Sequence, residues 1–127
     1  DQSTFGPWYG SMDSDVDQFI KSIENIKGLD FEVAISSHKP ITYGRETINE
    51  KLDVYLNRIF EREKKLIDFL SERRTIQEIV PQAFIYKKFP EPKGIYEHFE
   101  KIMIEKHLER LVRKNLVTKT NGSFKSL

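Results

Sequence analysis

The stretch from Thr47 to Leu70 constrains this chain more than any other. Ile48, Leu52, Tyr55, Leu56, Ile59, Leu66, Ile67 and Leu70 recur along it at helical steps, and charges of both signs fill the positions between. A strand would need strict alternation, which this stretch lacks. One long helix with a single apolar stripe is therefore expected, and a stripe of that length has to be covered by the rest of the chain.

Upstream, "SDVDQFIKSIENIKGL" reads as a shorter helix. Ser14 is placed to cap it, Asp17 stands three residues on in capping-box spacing, Val16, Phe19, Ile20, Ile23 and Ile26 form its apolar stripe, and Gly28 ends it. In "FEVAIS", Phe31, Val33 and Ile35 alternate as a strand with one covered face requires. That strand runs into "SSHKP", where Pro40 is expected to stop regular structure.

Downstream, Thr75 is placed to cap a short helix, "IQEIV", limited by Pro81, and the prolines of "KKFPEPKG" make a loop. A further helix from Ile95 to Lys114 carries Phe99, Ile102, Met103, Leu108, Leu111 and Val112. In "LVTKTNGSFKSL", Asn121-Gly122 between two β-prone runs signals a hairpin. Long helix, short helix, loop, helix and hairpin is the order of a winged-helix unit, a modified helix-turn-helix whose hairpin is the wing.

Composition narrows the class. With 38% hydrophobic and 12% aromatic residues the chain has the apolar surface for a core, and it contains no apolar run long enough to span a membrane. It has no cysteine, so disulfide frameworks and thiolate metal sites are both excluded, which favours a cytoplasmic origin. The net charge of +1 hides an asymmetry: residues 1–44 hold three Lys against seven Asp or Glu, and residues 45–127 hold eighteen Lys or Arg against thirteen acids. The change of sign falls at the one boundary the pattern suggests, between residues 1–44 and 45–127.

Among residues able to carry chemistry, His38 stands directly after a strand, in a loop held by Ser36, Ser37 and Pro40. A neutral imidazole there suits a zinc-type ion, although no second His or Cys lies nearby and a loop histidine bonded to backbone is the commoner case. His98 and His107, nine residues apart on one helix, point to opposite faces and are read as solvated or core-edge side chains. No phosphate-binding glycine loop is present. Lys106, Arg110, Arg113, Lys114, Lys119 and Lys125 gather on the last helix and hairpin, where they suit phosphate contacts. Glu105 and Glu109 are interleaved with them, as on an ordinary solvated face. The tract "RIFEREKKLIDFLSERR" is read as a salt-bridged helix surface.

The loop "FGPWYGS", Phe5 to Ser11, packs three aromatics, two glycines and a proline into seven residues, too rigid and apolar for a leader. Together with "DVDQFIKSIENI", the strand into "SSHKP" and "LDVYLNRIFEREKKLIDFL", it resembles the C-terminal part of metallo-β-lactamase-fold hydrolases, in the lactamase-β-2-like branch that carries a winged-helix-like extension. The resemblance covers essentially the whole chain, most specifically at "FGPWYG" and "SSHKP".

The resemblance implies an α+β, mostly helical chain: the trailing strand and helix of an αββα catalytic fold in residues 1–44, then a winged-helix-like domain in residues 45–127. It implies a parent enzyme with two zinc ions or similar divalent metals, in which His38 matches the last metal ligand. Such an enzyme activates water to cleave an ester, thioester, lactam or phosphodiester, with a small-molecule ester or thioester, or RNA, as substrate. The H-x-H-x-D-H motif that holds most of such a centre is absent here, so this portion by itself is expected to be inactive. Asp1 suits the second Asp of the family's Asp-x-Asp stretch and is not assigned as a ligand. The aromatic loop is implied to border the metal-site mouth, with Tyr9 lining the substrate approach and Trp8 packed in the core. A strand and helix taken from a sandwich would expose an apolar face, so a homodimer is a further expectation. The alternative is a non-catalytic winged-helix module that binds nucleic acid or protein.

Overall fold

The computed structural model describes residues 7–10, 15–27, 33–36, 39–43 and 45–127, with side chains described for 7–10, 15–27 and 48–127. In chain order the elements are α1 (Val16–Lys27), β1 (Val33–Ser36), β2 (Lys39–Tyr43), α2 (Arg45–Phe69), β3 (Arg74–Thr75), α3 (Ile76–Ile79), a 3₁₀ turn (Val80–Gln82), α4 (Lys93–Arg113), β4 (Val117–Thr120) and β5 (Ser123–Ser126). The chain is α+β and mostly helical.

The capping residue of α1 is Asp15, one position after the expected Ser14. Asp15 Oδ1 accepts the Gln18 N–H at 3.0 Å, which is the N-cap bond, while Asp17 turns away to two arginines of α4 instead of closing a capping box. Ser14 and Gly28 lie outside the described residues. Val16, Ile20 and Ile23 are buried as the periodicity requires, and Ile26 is exposed.

Strands β1 and β2 are antiparallel, with Val33 opposite Tyr43, Ala34 opposite Thr42 and Ser36 opposite Lys39. Pro40 therefore sits inside a strand and does not end regular structure. In a two-stranded sheet each strand keeps one edge free of ladder bonds, and a proline is tolerated there.

Helix α2 buries Ile48, Ile59 and Leu66, half-buries Leu52, Tyr55, Leu56 and Ile67, and is followed directly by the buried Leu70. The short helix α3 follows Thr75, whose N–H and hydroxyl both donate to the Glu78 carboxylate, at 3.0 and 3.2 Å. Those two donors hold the exposed Glu78 carboxyl below the usual range. Helix α4 closes at Asn115, whose left-handed φ of 60° lets the Leu116 N–H reach back to the Leu111 carbonyl at 3.0 Å. Asn121 and Gly122, with φ of 48° and 76°, form the two-residue turn of the β4–β5 hairpin, as their sequence requires.

The second sheet has the order β3-β5-β4, all antiparallel, so the last strand lies between the other two. It is fastened to the end of α2, where Ser126 donates its N–H to the Leu70 carbonyl at 2.8 Å and its hydroxyl to the Ile67 carbonyl at 2.5 Å. One hydrophobic cluster gathers Tyr9, Val16, Ile20 and Ile23 with Ile59, Leu66, Leu70, Ile79, Ile85, Met103, Ile104, Leu108, Leu111, Val117 and Phe124. Residues from both sides of position 44 thus enter the same core.

Candidate functional site

The apolar stripes of α2 and α4 are interrupted by charge where they meet. Arg62 and Glu63 fall between Ile59 and Leu66 in helical phase, and Glu100, His107 and Arg110 fall among Met103, Ile104, Leu108 and Leu111. All five are buried, with Glu100 and His107 at 0% exposure. Buried charge on this scale is tolerated only when paired and hydrogen-bonded.

The pairing is extensive. Glu63 accepts His107 Nδ1 on Oε2 at 2.9 Å and Arg110 Nη1 on Oε1. Arg110 continues through Nε to Asp17 Oδ1 at 2.7 Å, and Arg113 Nη2 reaches Asp17 Oδ2 at 2.8 Å. On its other side, His107 Nε2 meets the Tyr9 hydroxyl, which also accepts Arg62 Nη1 at 2.9 Å. Arg62 Nη1 lies 2.6 Å from the Pro7 carbonyl, and Lys106 Nζ donates to the Tyr9 carbonyl at 2.7 Å. Glu100 accepts the Ile85 and Tyr86 N–H groups, at 3.2 and 3.0 Å to Oε1. The segment Pro7–Gly10 and α1 are thereby tied to the two long helices by side chains from all four.

The electrostatics follow from this enclosure. Burial pushes the Tyr9 hydroxyl up to about 12 despite the adjacent Arg62 guanidinium, and it pushes His107 below its ordinary value despite the pull of Glu63. Burial likewise raises the Glu100 carboxyl against the two backbone N–H groups that favour its charge. Burial also acts to raise Asp17, but its pairs with Arg113 and Arg110 hold it below the usual carboxylate range.

In outline, Glu63, His107 and Tyr9 are an orienting carboxylate, an imidazole and a hydroxyl in series, the order that activates a nucleophile. Here Tyr9 is 1% exposed and His107 0%, so both side chains are enclosed by protein and neither faces a substrate. The arrangement acts as a cross-brace.

Tyr9 thus lies inside the helical core. Trp8, expected in the core, is instead 44% exposed. It packs edge-on to Phe99 at 5.3 Å between ring centres and donates Nε1–H to the Tyr86 hydroxyl at 2.9 Å. Gly10 makes room for that ring, because a Cβ there would stand 2.5 Å from Trp8 Cζ2. Both His38 and Asp1 lie outside the described residues. His98 is exposed beside Phe99, whereas His107 is wholly enclosed and is neither solvated nor at the core edge. Of the six basic residues on α4 and the hairpin, Lys106, Arg110 and Arg113 are bonded to the N-terminal segments, while Lys114, Lys119 and Lys125 are exposed.

Among the described residues no three His, Asp or Glu side chains converge into a group that would hold a metal ion. The implied zinc centre therefore has no ligand set in the described part of the chain. No described helix is long and apolar enough to cross a membrane. Compared with protein-family models and with curated proteins, the chain matches none.

Proposed function

We propose that this chain is the C-terminal portion of a metal-dependent hydrolase of the metallo-β-lactamase fold, in which residues 45–127 form a winged-helix-like extension. In this reading the extension fixes a loop beside the substrate entrance. The observation that carries it is the bracing of Pro7–Gly10: the segment that the resemblance sets at the metal-site mouth is held by Arg62, Lys106 and His107 of the two long helices. The sheet order β3-β5-β4 and the Asn121-Gly122 hairpin support the winged-helix-like part.

Two zinc or similar ions, when bound in the complete enzyme, would lower the pKa of a bound water and polarise the oxygen of an ester, thioester, lactam or phosphodiester. This chain would contribute His38 to that centre and the rigid loop to its border. The test is to express the reading frame with its upstream sequence and measure metal content and hydrolysis of ester and phosphodiester probes, with and without His38→Ala. Loss of bound metal and of turnover in the variant is expected. An upstream sequence lacking H-x-H-x-D-H, or metal content indifferent to His38, would overturn the reading.

The same sheet order also favours a second reading, a nucleic-acid-binding module acting without catalysis. The exposed Lys114, Lys119 and Lys125 are what remains of its basic face. Affinity for a duplex or single strand that falls steeply with salt would support it.

A further inference from the structure

The hydrogen positions along the brace follow from its two ends. The Glu63 carboxylate offers only acceptors, so His107 Nδ1 carries a hydrogen toward it. The Arg62 guanidinium only donates, so the Tyr9 oxygen accepts from it. A neutral imidazole then has a lone pair on Nε2, and the Tyr9 O–H donates to it. A proton placed on Nε2 makes that atom a donor, and the Tyr9 hydrogen has to turn away from it.

We propose that this relay is an acid-operated latch: neutral His107 holds the segment Pro7–Gly10 on the helical body through Tyr9, and protonation of Nε2 releases the segment while the helices stay folded.

The charges around His107 explain why one proton is enough. Arg62 and Glu63 face it from α2, Arg110 and Lys106 lie along α4 with Glu100 farther up the same helix, Asp17 reaches the cluster from α1 through Arg110, and Tyr9 comes from the N-terminal segment. Arg62, Lys106, Arg110 and Arg113 already outnumber Asp17, Glu63 and Glu100 in this network, so a cation on His107 adds further unmatched charge at 0% exposure. That charge is hydrated most directly by letting water in at Tyr9, the end of the relay that belongs to a short segment and not to a long helix. Burial already sets His107 below its ordinary value of 6.5. Between the latched and released values the holding equilibrium falls about tenfold per pH unit. The latch needs nothing from the hydrolase reading.

Trp8 is the only tryptophan and lies in the latched segment, so it reports release directly. On the full chain, emission and anisotropy of Trp8 are followed from pH 8 to pH 5 beside far-ultraviolet circular dichroism. A one-proton transition below pH 6.5, with lower anisotropy and unchanged helicity, is expected. It should vanish in His107→Gln and persist in His98→Gln and His38→Gln. A flat Trp8 signal, the same transition in His107→Gln, or a simultaneous loss of helicity would each overturn the latch. If His107→Gln does not fold, imidazole resonances of the unmodified chain decide: His107 titrating together with Trp8 supports the latch, and His107 titrating while Trp8 stays constant removes it.

Discussion

Both oxygens of Glu63 are engaged, one by His107 and one by Arg110, with 5% of the residue exposed. Removing a buried ionic partner leaves the others uncompensated, so Glu63→Ala should cost about 3 kcal/mol, read from urea unfolding at pH 7.5. The titration directions give the pH dependence its sign. The folded value of His107 is depressed, so the unfolded chain takes up that proton first: its contribution is complete above about 6.5 and is lost as pH falls toward the folded value. Glu100 is raised and works the other way, since the fold takes up its proton first and gains stability on acidification. Between pH 7 and pH 5, stability should therefore fall more steeply in Glu100→Gln than in the parent, and less steeply in His107→Gln. Tyr9, raised to about 12, adds a loss on the alkaline side between its ordinary 10.0 and that value.

At the level of elements, the hairpin turn is the cleanest place to test a local rule. Gly122 has a φ of 76° and nothing within 4 Å of an added Cβ, so the cost of Gly122→Ala is one of backbone conformation alone. About 1 kcal/mol is expected, seen as a melting temperature lower by roughly 4 °C. Such local signals were legible in the sequence: the phase of α2, the Thr75 start of α3 and the Asn-Gly turn each rest on a few neighbouring residues. Pro40 misleads because an edge strand accepts what a central strand refuses, and edge position is not local. Arg62 and Glu63 mislead differently. Their residue type reads as surface, and only their phase, in register with Ile59, Leu66 and Leu70, marks them as interior. The same register carries Glu100, His107 and Arg110 inward on α4. What sequence could not supply was the identity of the partners, because Tyr9 and His107 meet across the packing of separate elements.

For the molecule as a whole, the continuous core predicts one cooperative unit at neutral pH. Urea curves followed by Trp8 fluorescence and by circular dichroism should coincide at pH 7.5, and two separated midpoints would show residues before and after position 44 unfolding independently. Leu108→Ala, at a site 1% exposed, should lower stability by about 2–5 kcal/mol and shift both curves together. The brace also has a cost in time. Tyr9 and His107 are separated by 98 positions, so on a ribosome adding about 5–20 residues per second the tyrosine is made roughly 5–20 s before its histidine exists. For that interval Tyr9, Val16, Ile20 and Ile23 wait without the helix that covers them, and a chain interrupted before α4 would present them to whatever is nearby.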